Sequence, residues 1–386
     1  LVLRDIYDVM PSPLRVAGAV TAAMLCLPCT AASAVGWETA VAVPMTVEHD
    51  TNPQLDSQNK KAVTRTIVAP DYNLVGVSDS DQWQFGFGLH LERSSDQSVS
   101  LDREDPKFRL GWQRETETGG FGLLAKYDES SSLTTGLEET GTQTLKDGTR
   151  TTQALAGNWS TAITERNTLA ADTEYRTVSF DDDTQTDFDD LSAGVTWSHA
   201  LSERLEPFAR LAVTRYEPKE GGVGQGPAES SNSYSPAVGI KFEMSEQLQG
   251  SLRAGGNKVS NGSGGLNWQG GMDVRYVGER FEVSVDAGRS TVVSSEGGFT
   301  EVKQLRTSFS YAVDELTRAG FDASWQDNKS EQPNTMQQYS VWASRELSPF
   351  WTTRFSFTYK QRQEENLANA SANIIGLSLI YSHPDF

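Results

Sequence analysis

Six aspartates crowd the ten residues from Asp181 to Asp190. Oxygen ligands at that density could hold calcium, or bridge through divalent ions to phosphate groups, with Asp181, Asp182, Asp183 and Asp187 as the ligands. The run lacks the glycine and closing glutamate of an EF-hand loop, so a solvated acidic loop is the plainer explanation. Histidine offers less: His49, His90, His199 and His383 are scattered, with no H-E-x-x-H pair to bind zinc. No G-x-S-x-G nucleophile elbow occurs. The only cysteines are Cys26 and Cys29, so the chain beyond them has no thiol nucleophile, thiolate site or disulfide. No catalytic residue and no cofactor is expected.

The other candidates are charges set among apolar residues at alternate positions. Lys107, Arg109, Lys126, Arg176, Arg210, Lys241, Arg253, Asp273, Arg275, Glu282, Asp286, Arg306 and Arg354 fall in stretches where every second residue is bulky and apolar; Asp172, Glu174 and Glu243 do so too. In an extended strand successive side chains point to opposite faces, so these charges share the face opposite the apolar set. The last part of the chain gives the pattern most clearly. Trp351, Thr353, Phe355, Phe357 and Tyr359 lie on one face, against Thr352, Arg354, Ser356, Thr358 and Lys360 on the other. One face suits hydrocarbon and the other water. Phe85, Phe87, Phe108, Trp112, Tyr234, Val238, Phe281 and Val283 belong to the lipid-facing set by the same parity.

About eighteen such segments follow one another from Trp37–Glu48 to Asn373–Ser382, each of roughly ten or more residues, enough to cross a membrane at a tilt. The connections alternate between short and long from the sixth segment onward. Leu201–Arg204, Ser245–Gln247 and Gly278–Arg280 are short, whereas Ser130–Arg150, Glu217–Asn232 and Arg362–Ala372 are long and polar. This predicts an all-β protein, a transmembrane antiparallel up-and-down β-barrel of about eighteen strands with both termini periplasmic. A lumen with that many charges is wet, and eighteen strands leave room for an aqueous channel.

The beginning of the chain has a different character. Arg15, the apolar stretch Val16–Leu27 and Ala32-Ser33-Ala34 form a secretory signal, so residues 1–34 are expected to be an upstream extension plus cleaved leader, with the barrel over 35–386. Its apolar part falls short of the roughly 20 residues that span a bilayer as a helix. Hydrophobic residues make up only 37% and mean hydropathy is −0.48, as a barrel with a polar lumen requires. A net charge of −19 argues against a nucleic-acid partner.

Aromatic-rich alternating strands running to Phe386 resemble the bacterial outer-membrane β-barrels, whose last strand is read by the barrel assembly machinery. Tyr381 and Phe386 fall on opposite parities with Pro384 between them, a departure from that signal. The first hairpin narrows the resemblance. Glu48-His49-Asp50-Thr51-Asn52-Pro53-Gln54-Leu55, then Ala69-Pro70-Asp71-Tyr72, with turns of the Ser202-Glu203-Arg204-Leu205 kind, is similar to the barrels encoded with exopolysaccharide and exosortase (PEP-CTERM) systems. That resemblance implies an outer-membrane pore for polysaccharide or sugars, working with polysaccharide export machinery and surrounded by lipopolysaccharide. A general diffusion porin is the alternative; it needs a constriction loop folded inward, for which Ser130–Arg150 has the length. A non-transport scaffold or adhesin barrel would place its information in the loops instead.

Overall fold

A strand with one face toward hydrocarbon is stable only if all its backbone groups are paired, because an unpaired N–H or C=O finds no partner in lipid. The computed structural model describes residues 35–140, 147–182, 185–219, 229–260, 265–294, 296–329, 333–364 and 368–384. It meets this demand with one closed antiparallel sheet. The expected leader and Phe386 lie outside the described residues.

The strands run β1 (Gly36–Asp50), β2 (Val63–Val68), β3 (Asp71–Val77), β4 (Asp81–Ser94), β5 (Arg103–Thr116), β6 (Gly119–Ser131) and β7 (Thr149–Thr164). They continue as β8 (Asn167–Phe180), β9 (Phe188–His199), β10 (Leu205–Pro218), β11 (Ser231–Glu243), β12 (Leu248–Val259) and β13 (Asn267–Val277). The remainder are β14 (Phe281–Val293), β15 (Phe299–Ala312), β16 (Thr317–Asn328), β17 (Asn334–Ser348), β18 (Trp351–Glu364) and β19 (Ala370–His383). One helix, α1 (Ser132–Glu139), interrupts the series between β6 and β7. Neighbours in sequence pair as neighbours in space, and β1 pairs with β19 from Val41↔His383 to Asp50↔Ile374, which closes the ring.

Nineteen segments make eighteen staves. Both β2 and β3 pair with β4 in one unbroken register, Val68 opposite Leu91 and Asp71 opposite Gly88. The break falls at Ala69 and Pro70, where proline has no N–H to give to the ladder, although its carbonyl still accepts from Leu89 N at 3.0 Å. The barrel implied by the sequence is thus the barrel found, and its β17 runs on to Ser348.

Parity holds around the wall. Phe87, Phe108, Tyr234, Val238, Phe281, Phe355 and Leu377 project outward and are exposed. Facing rings on paired strands meet, Trp83 stacked on Trp112 at 5.6 Å and Phe87 tilted against Phe108 at 5.2 Å. Trp37 of β1 covers Gly76 so closely that a Cβ there would meet its ring at 2.6 Å.

A single sheet has no second layer behind it, so what is buried must be buried inside the barrel. Two apolar clusters are. Leu55, Leu133, Leu137, Met336, Ala370 and Ala372 form one; Val178, Phe188 and Tyr216, with Phe180, Val293 and Phe299 against them, form the other. The second depends on the loop between β14 and β15 turning back toward β10, where the Tyr216 and Phe299 rings meet at 6.2 Å. Gly297 and Gly298 permit that turn with φ of 106° and 73°, which other residues adopt only under strain.

The parity assignment predicts an asymmetry between adjacent residues. Leu305→Arg, placing a charge on the outer face near mid-strand, should destabilise the barrel in bilayers by about 2–4 kcal/mol. Gln304→Arg, which projects inward beside Asp286, should change it by less than about 1 kcal/mol. Urea unfolding of the two variants in the same lipid checks this.

Candidate functional site: a partitioned lumen

The segment between β6 and β7 is long enough to leave the wall, and its sequence says where it becomes helical. Ser131 caps α1 by accepting from Thr134 N at 3.1 Å, and Leu133 and Leu137 are spaced to share one face of the helix. That face is buried against Leu55 in the segment after β1, Met336 of β17, and Ala370 and Ala372 of β19. The helix therefore crosses from the β6/β7 wall to the wall near the β1/β19 seam. The described helix of Ser130–Arg150, the segment with the length for a porin constriction loop, is folded inward.

Its base is fixed by a buried polar ring. Arg103, 4% exposed, donates from Nε to Asp105 at 2.6 Å and from Nη1 to the Gly148 carbonyl at 3.0 Å, with Asp147 at 3.6 Å. Ser131 Oγ donates to Asp147 at 2.6 Å, and Ser132 N donates to the Gly148 carbonyl at 2.9 Å. Position 148 is glycine because a Cβ would collide with the Asp181 carboxylate, which accepts from Thr149 N at 2.7 Å. Arg150 closes the ring on Glu139 at 2.9 Å.

The helix divides the lumen into unlike halves. On the β1–β6 side one cluster is close-set and dry: Arg65 is held by Glu48, by Asp50 at 3.6 Å and by Glu92 at 3.8 Å, and Glu92 also takes His90 Nε2 at 3.2 Å and the Ser100 hydroxyl at 3.0 Å. Asp50 and Glu92 are buried. On the opposite side the pairs are open to water. Arg210 reaches across Gly194 to grip Asp172 through two bonds of 2.6 and 2.8 Å, Lys241 meets Glu206 at 2.8 Å, and Arg275 meets Glu282 at 2.8 Å, with Lys241 59% and Arg275 53% exposed. Water-screened pairs of this kind hold the wall weakly and leave it free to meet solutes.

The expected lumenal residues fall on the inner face, but in different company. Lys107 pairs with Asp128 at 3.0 Å and Arg176 with Asp190 at 2.7 Å. Arg109 and Lys126 stand directly opposite each other on β5 and β6 with no acid between them. Arg253 and Asp273 line a bay of about 660 Å³ along β10–β14 with Arg210, Lys241 and Arg275. Arg253 lies over Gly271, where a Cβ would meet its Nε at 2.8 Å. Asp286 and Arg306 line a second bay, of about 540 Å³, between α1 and β14–β17. Asp286 accepts from Gln304 Nε2 at 3.0 Å although Arg306 is its cross-strand partner, and Asp322 accepts from the Trp342 indole at 2.9 Å. Arg306 on the wall and Glu138 on α1 thus line one bay with no ion-pair partner among the described residues. Arg354 packs over Trp342 at 4.3 Å, an inward tryptophan that the polar parity did not suggest.

The described aspartates of the acidic run are engaged with backbone amides and neighbouring cations. Asp181 and Asp187 accept from the backbone of Thr149 and Phe180, Asp189 meets Lys219 at 2.9 Å, and Asp190 holds Arg176. Asp183 lies outside the described residues, and among those described, Asp182 included, no three side chains of metal-binding type converge. Their physical role in the fold is to finish strand ends and pair neighbouring cations.

Sequence reasoning missed the partition itself: Leu55, Leu133, Leu137, Glu138 and the Arg103–Asp147 anchor. A serine cap with leucines four apart was the one local signal. Removing Arg103 strands two buried carboxylates, and breaking such a pair costs about 3–5 kcal/mol. Arg103→Ala should therefore undock α1 while the wall persists, seen as loss of hydrogen-exchange protection over 132–139 with protection of β14–β18 retained.

No protein-family model matches the chain, and no curated protein matches it. Among solved structures it is similar to OccAB4 of Acinetobacter baumannii, at 9% identity and a TM-score of 0.50, over 91% of this chain and 98% of that one. OccK7 (OpdD) of Pseudomonas aeruginosa matches at 9% identity and a TM-score of 0.48, over 92% and 100%. The outer membrane channel DcaP of Acinetobacter baumannii matches at 11% and 0.46, over 92% and 100%. At such identities no residue role carries over, and the likeness to OccAB4 concerns the fold alone. That fold, eighteen staves closed without a free edge and belted outside by apolar and aromatic side chains, is a bacterial outer-membrane β-barrel.

Proposed function

We propose that the protein is a constricted diffusion channel for small polar solutes, with its long-loop rim outside the cell and both ends of the barrel strand series on the periplasmic side. The observation that carries this reading is α1, anchored at its base by Arg103 and Asp147 and seated at its tip across the lumen. A docked helix narrows a barrel of this size without sealing it, because the β8–β16 side keeps its solvated wall. The path runs off-centre along that wall. It passes the bay lined by Glu138 and Arg306 and floored by neutral hydrogen-bonding groups such as Gln304, Ser308, Ser324 and Gln338. Charge rings and unpaired charges at a constriction set which ions pass.

Passage of a polysaccharide, implied by the sequence resemblance, asks more of the same barrel. A polymer needs a continuous wide bore, so α1 would have to leave its seat and expose Leu133 and Leu137 to water. The small-solute reading requires no such rearrangement.

Planar-bilayer recording of the refolded protein tests the proposal. Steady conductance is expected, and replacing residues 133–146 by a short Gly-Ser link should raise it about twofold or more as the bore widens. Glu138→Lys should move the reversal potential in a salt gradient toward anion preference, and Arg306→Glu toward cation preference. A wild-type barrel that passes no current, or a loop-deleted one that conducts no better, would sink the channel reading.

A further inference from the structure

The seat on which α1 rests is made by an unusual turn. Strand β1 ends at Asp50, whose Oδ1 accepts from Asn52 N at 2.9 Å. The Asn52 side chain is buried and fully used: Nδ2 donates to the carbonyls of Asp56 at 2.8 Å and Ser371 at 3.1 Å, and Oδ1 accepts from Asp56 N at 3.1 Å. Leu55 N donates to the Asn52 carbonyl at 3.0 Å, and Arg362 Nη2 donates to the Leu55 carbonyl at 3.4 Å. Thr51 and Asn373 exchange two further bonds, of 3.0 and 2.8 Å. Beyond the turn, the backbone amides of Asn59 and Gln58 hold the Asp56 carboxyl below the usual carboxylate range. The whole turn is latched to β18 and β19.

Inside this frame Leu55 has φ of 48°, the only residue other than glycine with positive φ among those described, and it is 1% exposed. A branched side chain in the left-handed region costs roughly 1–2 kcal/mol, which glycine would avoid. A turn that needed only its backbone shape has no use for leucine. The side chain faces Leu133 and Leu137, beside Met336 and two alanines, Ala370 and Ala372, that are too short to reach the helix alone.

We infer that Leu55 is the positioning residue of the constriction, a spacer whose side chain sets how far α1 stands from the β19 wall and hence how wide the open side is. The inference rests on the channel reading for its functional part. The motif Asp50-Thr51-Asn52-Pro53-Gln54-Leu55, singled out in the sequence for its resemblance, acquires a mechanical role. Asp50 shapes Asn52, Asn52 shapes the turn, and the turn holds Leu55 against the helix.

Two variants separate side chain from backbone. Leu55→Gly relieves the strained φ but removes a buried side chain, so the unfolding midpoint should fall modestly while the barrel stays folded; conductance should change by about twofold and the size of the largest polyethylene glycol admitted should shift. Leu55→Met, similar in volume, should restore wild-type conductance and cut-off. A folded Leu55→Gly barrel with wild-type conductance and cut-off would overturn the inference, since the residue would then be a turn former only. Contact is tested apart from conduction by Leu55→Cys with Leu137→Cys, Cys26 and Cys29 being changed to serine, and a short bifunctional thiol reagent. Efficient cross-linking in a barrel that carries no current would end the channel reading but keep the seat. Failure to cross-link in a folded barrel would remove the seat as well.

Discussion

Closure of the hydrogen-bond ladder is the constraint from which the other features follow. Hydrocarbon offers no partner for a backbone N–H or C=O, so a spanning sheet must have no edge. The pairing of β1 with β19 removes the last one. Closure forces every strand to divide its side chains between lipid and lumen, which is why the sequence alternates for nearly its whole length. It also removes the ordinary means of building a core, because one sheet wrapped into a ring has nothing packed behind it. Anything that shapes the lumen beyond the wall must arrive from a loop, and α1 does.

The ion pairs gain their meaning from where the loop falls. On the β1–β6 side α1 and the adjoining loops exclude water, and the charges there are locked together: Arg65 among three carboxylates, Arg103 between two. Such groups cross-link because a lone charge in that environment is costly. On the β8–β16 side the same residue types sit in water and are individually weak. Lysine and arginine thus serve as anchors where they are buried, as Arg289 with Glu301 also does on β14 and β15, and as a solvated lining where they are not.

The sequence made the wall legible because a period of two is a local property. Trp351 to Lys360 can be sorted into faces without knowing any neighbour, and the same sorting placed Arg210, Arg253 and Arg306 on the inner face. The break at Pro70 was not distinguishable from a continuous strand, since β2 and β3 keep one register across it. Parity says which face a residue takes but not what lies opposite. Leu55, Leu137, Met336 and Ala370 are far apart in the chain, and nothing local in any of them announces that they meet. Trp342 illustrates the same limit. Its inward position is stabilised by Gly320 beneath one ring face, Arg354 over the ring and Asp322 on the indole N–H, three partners from the two strands that flank it.

The constriction depends on closure in a stricter sense than the wall does. Its seat draws Leu55 from the loop after the first strand and Ala370 and Ala372 from the last, with Asn52 bonded to Ser371 across the seam. Those residues become neighbours only when β1 has met β19. Before that, Met336, Ala370 and Ala372 share one wall but lack Leu55, which has no reason to hold a left-handed backbone. The partition is therefore the last element the chain can build, and the strain at Leu55 is sustained by the same hydrogen-bonded seam that lets the barrel exist in lipid.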